Sequence, residues 1–315
     1  MGTIDLSNAT APTRGRVGGT DVERAKKFRD RMPPAARRSV FIRQTILQEI
    51  RETPVNPVRD DSIDAAEATI LVKNLVKSMG ADEVGIAEID PRLVFTNGEV
   101  ADHKFAIVYA MTMAYDAMVE IGPKSQDEVH RVYHALDETG VRLAHQIGSF
   151  GYAARMHPNE GDIPLPAFGW LSGIGELGKH GSLISPKLGS SFRLGAVTTN
   201  MPLIADGPQD YGIDEVCANC NLCQRFCPGD AIKPDKKVVN GITRWHVDTP
   251  ACEPYFHKLY GCKICLMVCP YNGRGEFKDQ FRATAKDIRD AKDAAGMLAL
   301  VERRSNLSYE DFEQD

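Results

Sequence analysis

Apolar positions along the chain change their period several times, and each change marks an element. From Ile63 to Met79 they fall at Ile63, Ala66, Ile70, Leu71, Leu75 and Met79, the spacing of one helical face, and Gly80 closes the run. Val84 to Ile89 and Phe105 to Met111 are short apolar runs between polar or Gly/Pro segments, which predicts two buried strands. A second helix is predicted from Ser125 to Phe150, with Val129, Val132, Leu136, Leu143 and Ile147 on its buried side and Gly151 at its end. Between Gly151 and Met201 the periodicity gives way to glycine and proline, among them Pro164, Pro166, Gly169, Gly173 and Gly189. Such punctuation implies backbone shaped around something. Phe277 to Arg303 returns to a charged helical pattern, expected to be one terminal helix packed back across the domain. Residues 1–60, broken by Pro33-Pro34, Pro54 and Pro57, read as an arm with one or two short helices.

Composition narrows the class. With 315 residues and 43% hydrophobic content the chain can bury one large core or two modest ones. A net charge of −5 gives no global attraction to nucleic acid or anionic membrane, so a small molecule or a protein is the expected partner. No run approaches the ~20 apolar residues of a membrane span. Arg37-Arg38-Ser39-Val40-Phe41 superficially matches a twin-arginine export signal, but Thr45 to Glu52 is amphipathic where an apolar region should follow, and a cytoplasmic protein is expected. The arm holds twelve Lys/Arg against seven Asp/Glu, a formal +5 against −10 for the rest. Such an arm either docks an acidic electron donor or packs on its own domain.

All eight cysteines lie in the last third, too tightly spaced for a secreted disulfide scaffold. Cys217-x2-Cys220-x2-Cys223-x3-Cys227-Pro228 has the spacing of a bacterial ferredoxin motif. Cys252-x9-Cys262-x2-Cys265-x3-Cys269-Pro270 is the same motif with its first cysteine displaced upstream. Three thiolates two residues apart converge on one cube while the fourth reaches the other. Cys217, Cys220, Cys223 and Cys269 are therefore expected to hold one [4Fe–4S] cluster, and Cys227, Cys252, Cys262 and Cys265 a second. Structural zinc is the rival reading, but four cysteines ending in Cys-Pro have little use around one tetrahedral ion. Cys252 has the irregular spacing, and His257 is the alternative ligand. Two interlocked clusters form a wire. A free ferredoxin needs only about 60 residues, so the preceding domain is expected to receive the electrons.

Gly173-Ile174-Gly175-Glu176-Leu177-Gly178 formally matches the dinucleotide fingerprint. No clean strand precedes it, however, and Lys179-His180-Gly181-Ser182 opens no long helix. The longer run from Gly169-Trp170-Leu171-Ser172 through this loop to Ser185-Pro186, continued by Phe192-Arg193-Leu194-Gly195-Ala196-Val197-Thr198-Thr199-Asn200-Met201-Pro202-Leu203, resembles the corrinoid-dependent reductive dehalogenases. Epoxyqueuosine reductases share a looser version. The resemblance takes in Met79-Gly80-Ala81-Asp82-Glu83-Val84-Gly85 and both cysteine motifs, about residues 63–275.

It implies an α/β (α+β) fold, a nitroreductase-like domain holding a base-off cobalamin beside a ferredoxin-like dicluster segment. The expected organisation is an arm at 1–60, a corrinoid and substrate domain at 61–205, the ferredoxin-like domain at 206–275 and a helical segment at 276–315. It further implies that Gly173, Gly175, Gly178, His180, Gly181 and Ser182 line the cofactor. Tyr133 would deliver a proton, Asn159 would face the substrate, and Arg193 or Lys179 would be the cation beside the tyrosine, favouring its phenolate. Lys179 stands where the family usually has arginine and cannot clamp a carboxylate in a bidentate way. His157 and His180 flank the loops and could donate hydrogen bonds. His130, His134 and His145 need no special role on their helix. The expected function is reductive dehalogenation of a halogenated aromatic compound, with electrons from a separate ferredoxin or flavodoxin. The alternatives are an epoxyqueuosine-reductase-like enzyme, disfavoured by the lack of a basic face for RNA, and a corrinoid-free electron-transfer subunit.

Overall fold

The computed structural model of the chain describes residues 22–100 and 102–308, with Asp5 and Ser7. Helices α1 (Val22–Asp30) and α2 (Pro34–Phe41) come first, and a π-helical turn (Ile42–Leu47) continues α2 without a break. Helix α3 (Ala65–Ser78) starts where the Asp64 carboxylate accepts from the backbone N–H groups of Ala66 and Glu67. Strands β1 (Glu83–Glu88) and β2 (Phe105–Thr112) follow, then the single turn α4 (Tyr115–Met118), the long α5 (Pro123–Ser149) and β3 (Ala154–His157). The punctuated stretch holds α6 (Leu165–Leu171), the two-residue strands β4 (Glu176–Leu177) and β5 (Leu183–Ile184), and β6 (Phe192–Thr199). The cysteine segment comprises α7 (Ile213–Asn219), α8 (Leu222–Arg225), β7 (Ile232–Val239), β8 (Ile242–Val247), α9 (Thr249–Lys258) and α10 (Ile264–Met267). Helices α11 (Lys278–Ala291) and α12 (Ala294–Ser305) close the fold.

The main sheet has the order β1-β2-β6-β3, antiparallel throughout. Strand β2 is buried from Ala106 to Met111 because both faces are covered. Ile107, Tyr109 and Met111 enter the core shared with α3 and α5, while Ala106, Val108 and Ala110 enter the core shared with α6. A strand covered twice shows no alternation in its sequence, which is why it reads as a continuous apolar run. At its centre Tyr109 donates to the Leu136 carbonyl (2.9 Å) and lies across Gly195 of β6, where a Cβ would come within 2.8 Å of the ring.

Two expectations change here. The predicted terminal helix is two helices, broken at Lys292 (φ +66°), and the Asp293 carboxylate caps the second by accepting from Gly296 N–H. Strands β3 and β6 lie inside the stretch whose glycines and prolines hid them. The Asn240-Gly241 turn, with φ of +51° and +77°, closes the β7–β8 hairpin between the two cysteine motifs.

The described part of the arm is bound into the fold. Phe28 of α1 packs on Phe256 of α9, ring centroids 5.7 Å apart. Ala36 N–H donates to Asp127 (2.9 Å), and Arg43 Nε donates to Asp137 (2.6 Å), both on α5. Apart from Asp5 and Ser7, residues 1–21 lie outside the described part, and with them about the first third of the arm expected to dock a donor. No helix among the described residues is long and apolar enough to cross a membrane.

Three buried histidines give stability a pH dependence. Burial holds His130 and His180 down to about 4 and His157 below its ordinary value. The unfolded chain, with histidines near 6.5, binds more protons between those values, so the stability these side chains contribute above pH 6.5 is lost as pH falls towards 4. Asp137, pushed up by burial to about 6, acts in the opposite sense but is one group against four, since burial also holds His103 down to about 4. Calorimetry should show the melting temperature falling by about 5 °C or more from pH 7 to pH 5 at constant iron content; a flat or rising curve would contradict this.

Candidate functional site

The eight thiols divide by the neighbours whose charge they feel. Cys223 senses Cys217 and Cys220, Cys217 senses Cys220, and Cys269 senses Cys217 and Cys223. Cys252 senses Cys227, Cys262 senses Cys252 and Cys227, and Cys265 senses all three of those, with Cys223 across the gap. These two sets are the ones expected from the interlocked spacing. Cys252 reaches its set because the hairpin ends at α9, whose first turn carries it. The displaced spacing of Cys252 is thus the rest of α9 and the turn after it, inserted before Cys262. His257, the alternative ligand, is buried between Phe28 and Phe256.

All eight cysteines are free. Burial pushes the Cys252 thiol up to about 11 and those of Cys223, Cys262 and Cys269 up to about 12. Thiolates so desolvated require cations among them. Among the described residues no three Cys, His, Asp or Glu side chains are gathered for a single metal ion. This donor set fits two iron–sulfur cubes. Backbone N–H groups aim at the sulfurs, with Ala231 N–H 3.3 Å from Cys227 Sγ and Lys179 N–H directed at Cys217.

A buried amide ties the cysteine segment to the main sheet. Asn272 Nδ2 donates to the Leu266 carbonyl (2.7 Å), and its Oδ1 accepts from Ser190 N–H (2.9 Å) just before β6. Tyr115 Oη adds a bond to the Met267 carbonyl (2.9 Å).

The glycine-rich loop is shaped largely around the protein itself. A Cβ on Gly175 would stand 2.1 Å from the Ile184 carbonyl oxygen, one on Gly178 2.6 Å from the Ile184 side chain, one on Gly173 2.9 Å from the Gly207 carbonyl, and one on Gly181 2.9 Å from Val247. On the side where a side chain would project, these four glycines admit neighbouring chain. Ser182 N–H donates to His180 Nδ1 (3.1 Å), leaving the proton of the neutral ring on Nε2, which is buried without a partner among the described residues. That orphaned donor fits an acceptor such as an amide or phosphate oxygen of a corrinoid.

Lys179 and Arg193 part company. Lys179 is buried, donates to Asn221 Oδ1 (2.9 Å) and stands 4.5 Å over the Trp245 ring, so its charge is committed beside the Cys217 set. The Arg193 guanidinium lies 5.6 Å from the centre of the Tyr133 ring. Of the two expected cations, the structure brings only Arg193 to the tyrosine. Asn159 is exposed in the loop after β3, with no described contact to Tyr133. His157 is fully buried, its Nε2 2.8 Å from Thr198 Oγ1 and its Nδ1 3.1 Å from Asp162, so it serves the interior.

Tyr133 has neighbours that the sequence did not indicate. Arg43, on the π-helical turn, stacks on its ring at 4.8 Å, and His130 meets it edge-on at 6.1 Å. Lys263, pushed down by burial to about 7, senses Arg193 on one side and Cys262 and Cys265 on the other. A charge next to cysteine ligands was a legible signal for Lys263. Nothing local marked Arg43, which lies 94 residues from its partner Asp137.

Residues 216–273 match the 4Fe-4S dicluster domain family. A tetrachloroethene reductive dehalogenase of Desulfitobacterium hafniense is 27% identical over 290 residues, covering 73% of this chain and 52% of the relative. An epoxyqueuosine reductase of Lactococcus garvieae is 31% identical over 158 residues, 48% of this chain and 43% of the relative. The chain spans about half the length of the dehalogenases it matches. Among solved structures, a reductive dehalogenase connected with B12-dependent dehalogenation superposes with a TM-score of 0.79 at 23% identity, over 98% of this chain and 49% of that one. At that identity the likeness is one of fold.

Anaerobic reconstitution should give about eight iron and eight sulfide per chain. Cys252→Ala should lose about half of the iron and one of two electron paramagnetic resonance signals on reduction. Loss of both signals would show that the two sets do not assemble independently.

Proposed function

We propose that this chain, a homologue of the reductive dehalogenases and more distantly of the epoxyqueuosine reductases, is a corrinoid- and iron–sulfur-dependent reductase that replaces halide by hydrogen on a small halogenated, aromatic substrate. The observation that carries the reading is Tyr133, with two guanidinium groups 4.8 and 5.6 Å from its ring centre, the farther of which, Arg193, also bears on Lys263 beside Cys262 and Cys265. Tyrosine and cations from separate parts of the chain meet on one face near the middle of α5.

The overall change consumes two electrons and one proton per carbon–halogen bond and releases halide. When bound, the cubes would supply the electrons one at a time, and the corrinoid a reduced cobalt centre. Cys217, Cys220, Cys223 and Cys269 would hold one cube, Cys227, Cys252, Cys262 and Cys265 the other, and His180 Nε2 would donate to the corrinoid. A separate ferredoxin or flavodoxin would be the donor. Tyr133 Oη holds the proton that the product carbon gains. Arg193 and Arg43 lie along its ring and stabilise negative charge on the phenol oxygen as the proton leaves. Asp137 fixes Arg43 by a 2.6 Å charge-assisted bond, so that cation keeps its place.

Tyr133→Phe keeps the ring and its stacking with both arginines and removes only the transferable proton. It should retain iron content, corrinoid uptake and thermal stability, yet lose about 10²-fold or more in rate, the scale of a general acid. Single-turnover halide release from a bromophenol by pre-reduced protein, at matched corrinoid occupancy, measures this. Equal rates would remove Tyr133 from the reaction, and no halide from either protein would argue against dehalogenation.

A further inference from the structure

Glu176 and Lys179, three residues apart in the glycine-rich loop, grip the two ends of α7, the helix that carries Cys217 into the first cysteine set. The Glu176 carboxylate is buried and accepts three backbone N–H groups around the start of that helix, from Tyr211 (2.6 Å), Ile213 (3.1 Å) and Asp214 (3.1 Å). Lys179 Nζ donates to the Ala218 carbonyl in the last turn (3.4 Å) and to Asn221 Oδ1 just beyond it (2.9 Å). Helix and ammonium group are thus held together from one loop.

These bonds satisfy Glu176 but leave the charge of Lys179 unanswered. Only 2% of Lys179 is exposed, and its partners are a carbonyl, an amide oxygen and the face of Trp245. No carboxylate among the described residues pairs with it. Asp214, on the same helix, is taken by Lys236 and by Trp245 Nε1. A buried ammonium with no counter-charge is strongly unfavourable. Its charge bears on Cys217 and Cys223, and its own backbone N–H points at Cys217. Four thiolates outweigh the positive charge of a cubane core, so the assembled cluster is an anion, and reduction makes it more negative still.

We propose that Lys179 is the built-in counter-ion of the cube held by Cys217, Cys220, Cys223 and Cys269, and that its charge raises the reduction potential of that cube. A fixed positive charge favours whichever state carries more negative charge, so this cube takes up an electron more readily than thiolate ligation alone would allow. The glycine-rich loop acts as a redox-tuning element, and Lys179 as a positioning residue that never touches the substrate. The inference rests on the cluster assignment and is independent of dehalogenation.

The full chain is reconstituted anaerobically with iron and sulfide and titrated potentiometrically, the reduced clusters being followed by electron paramagnetic resonance. Cys252→Ala identifies the signal of the Cys217 set. In Lys179→Met the midpoint of that signal should fall by about 59 mV or more, a ten-fold change in a one-electron equilibrium, while the other cube moves less than half as far. Lys179→Arg keeps the charge and should recover most of the shift. Lys179→Gln keeps a hydrogen-bond donor without the charge and should match Lys179→Met. A cube that assembles with lysine or arginine at this position but with neither neutral residue would also bear out the counter-ion. Midpoints unchanged in Lys179→Met and Lys179→Gln at full iron content overturn the proposal, as does a shift that Lys179→Gln repairs and Lys179→Arg does not. Halide release is measured separately, so failure of the dehalogenase reading leaves this test intact.

Discussion

Much in this molecule is arranged around the cost of gathering eight thiols, three of them buried and the rest half-buried. Sulfur removed from water resists ionisation, and metal clusters need it ionised, so the chain must deliver two compact sets of cysteines into a shell that also presents N–H donors. Asn272 shows how far the rest of the fold follows from this. Wholly buried, it bonds the turn after Cys269 to Ser190, just ahead of β6, and there is no room for a side chain on Gly189 beside it. The cysteine segment and the sheet are therefore one packed body, and the position of β6 fixes Arg193.

Strand β6 has two faces with different work. Val197 and the ring-covered Gly195 belong to the side of α5, where Arg193 reaches Tyr133. Leu194 and Ala196 belong to the core under α6, next to the buried His157–Thr198 contact. On α5, His130, Tyr133 and Asp137 are spaced three and four residues apart and share one face of the helix. The N-terminal segment lies against that face, and its π-helical turn brings Arg43 between Tyr133 and Asp137. A basic arm thus becomes a wall of the candidate site.

The glycine-rich loop carries a related lesson. Its glycines suggested a bound group, and the structure assigns most of that composition to close backbone approach within the protein, above all at Gly175 against Ile184. What the loop offers a ligand is a buried histidine nitrogen rather than empty space. Lys179 leaves the same loop for the opposite direction and serves the Cys217 set and Trp245.

By itself the sequence identified a dicluster segment and suggested how its cysteines divide, because ligand spacing on tight loops is a local constraint that leaves few ways to build a cube. It determined α3, β1, β2 and α5 nearly to their ends, because their apolar periods and the glycines at 80 and 151, both at positive φ, are local signals. It singled out Tyr133 and Arg193 through family resemblance, without saying which of two cations stood at the ring. Tertiary structure alone decided that Arg193 and not Lys179 lies there, that β3 and β6 exist within a punctuated stretch, and that Arg43 completes the surroundings of Tyr133. Each of these depends on contacts between residues far apart in the chain. Long-range pairing, buried charge and the direction of a side chain leave no periodic trace in a sequence, whereas helix faces, turns and ligand spacing do.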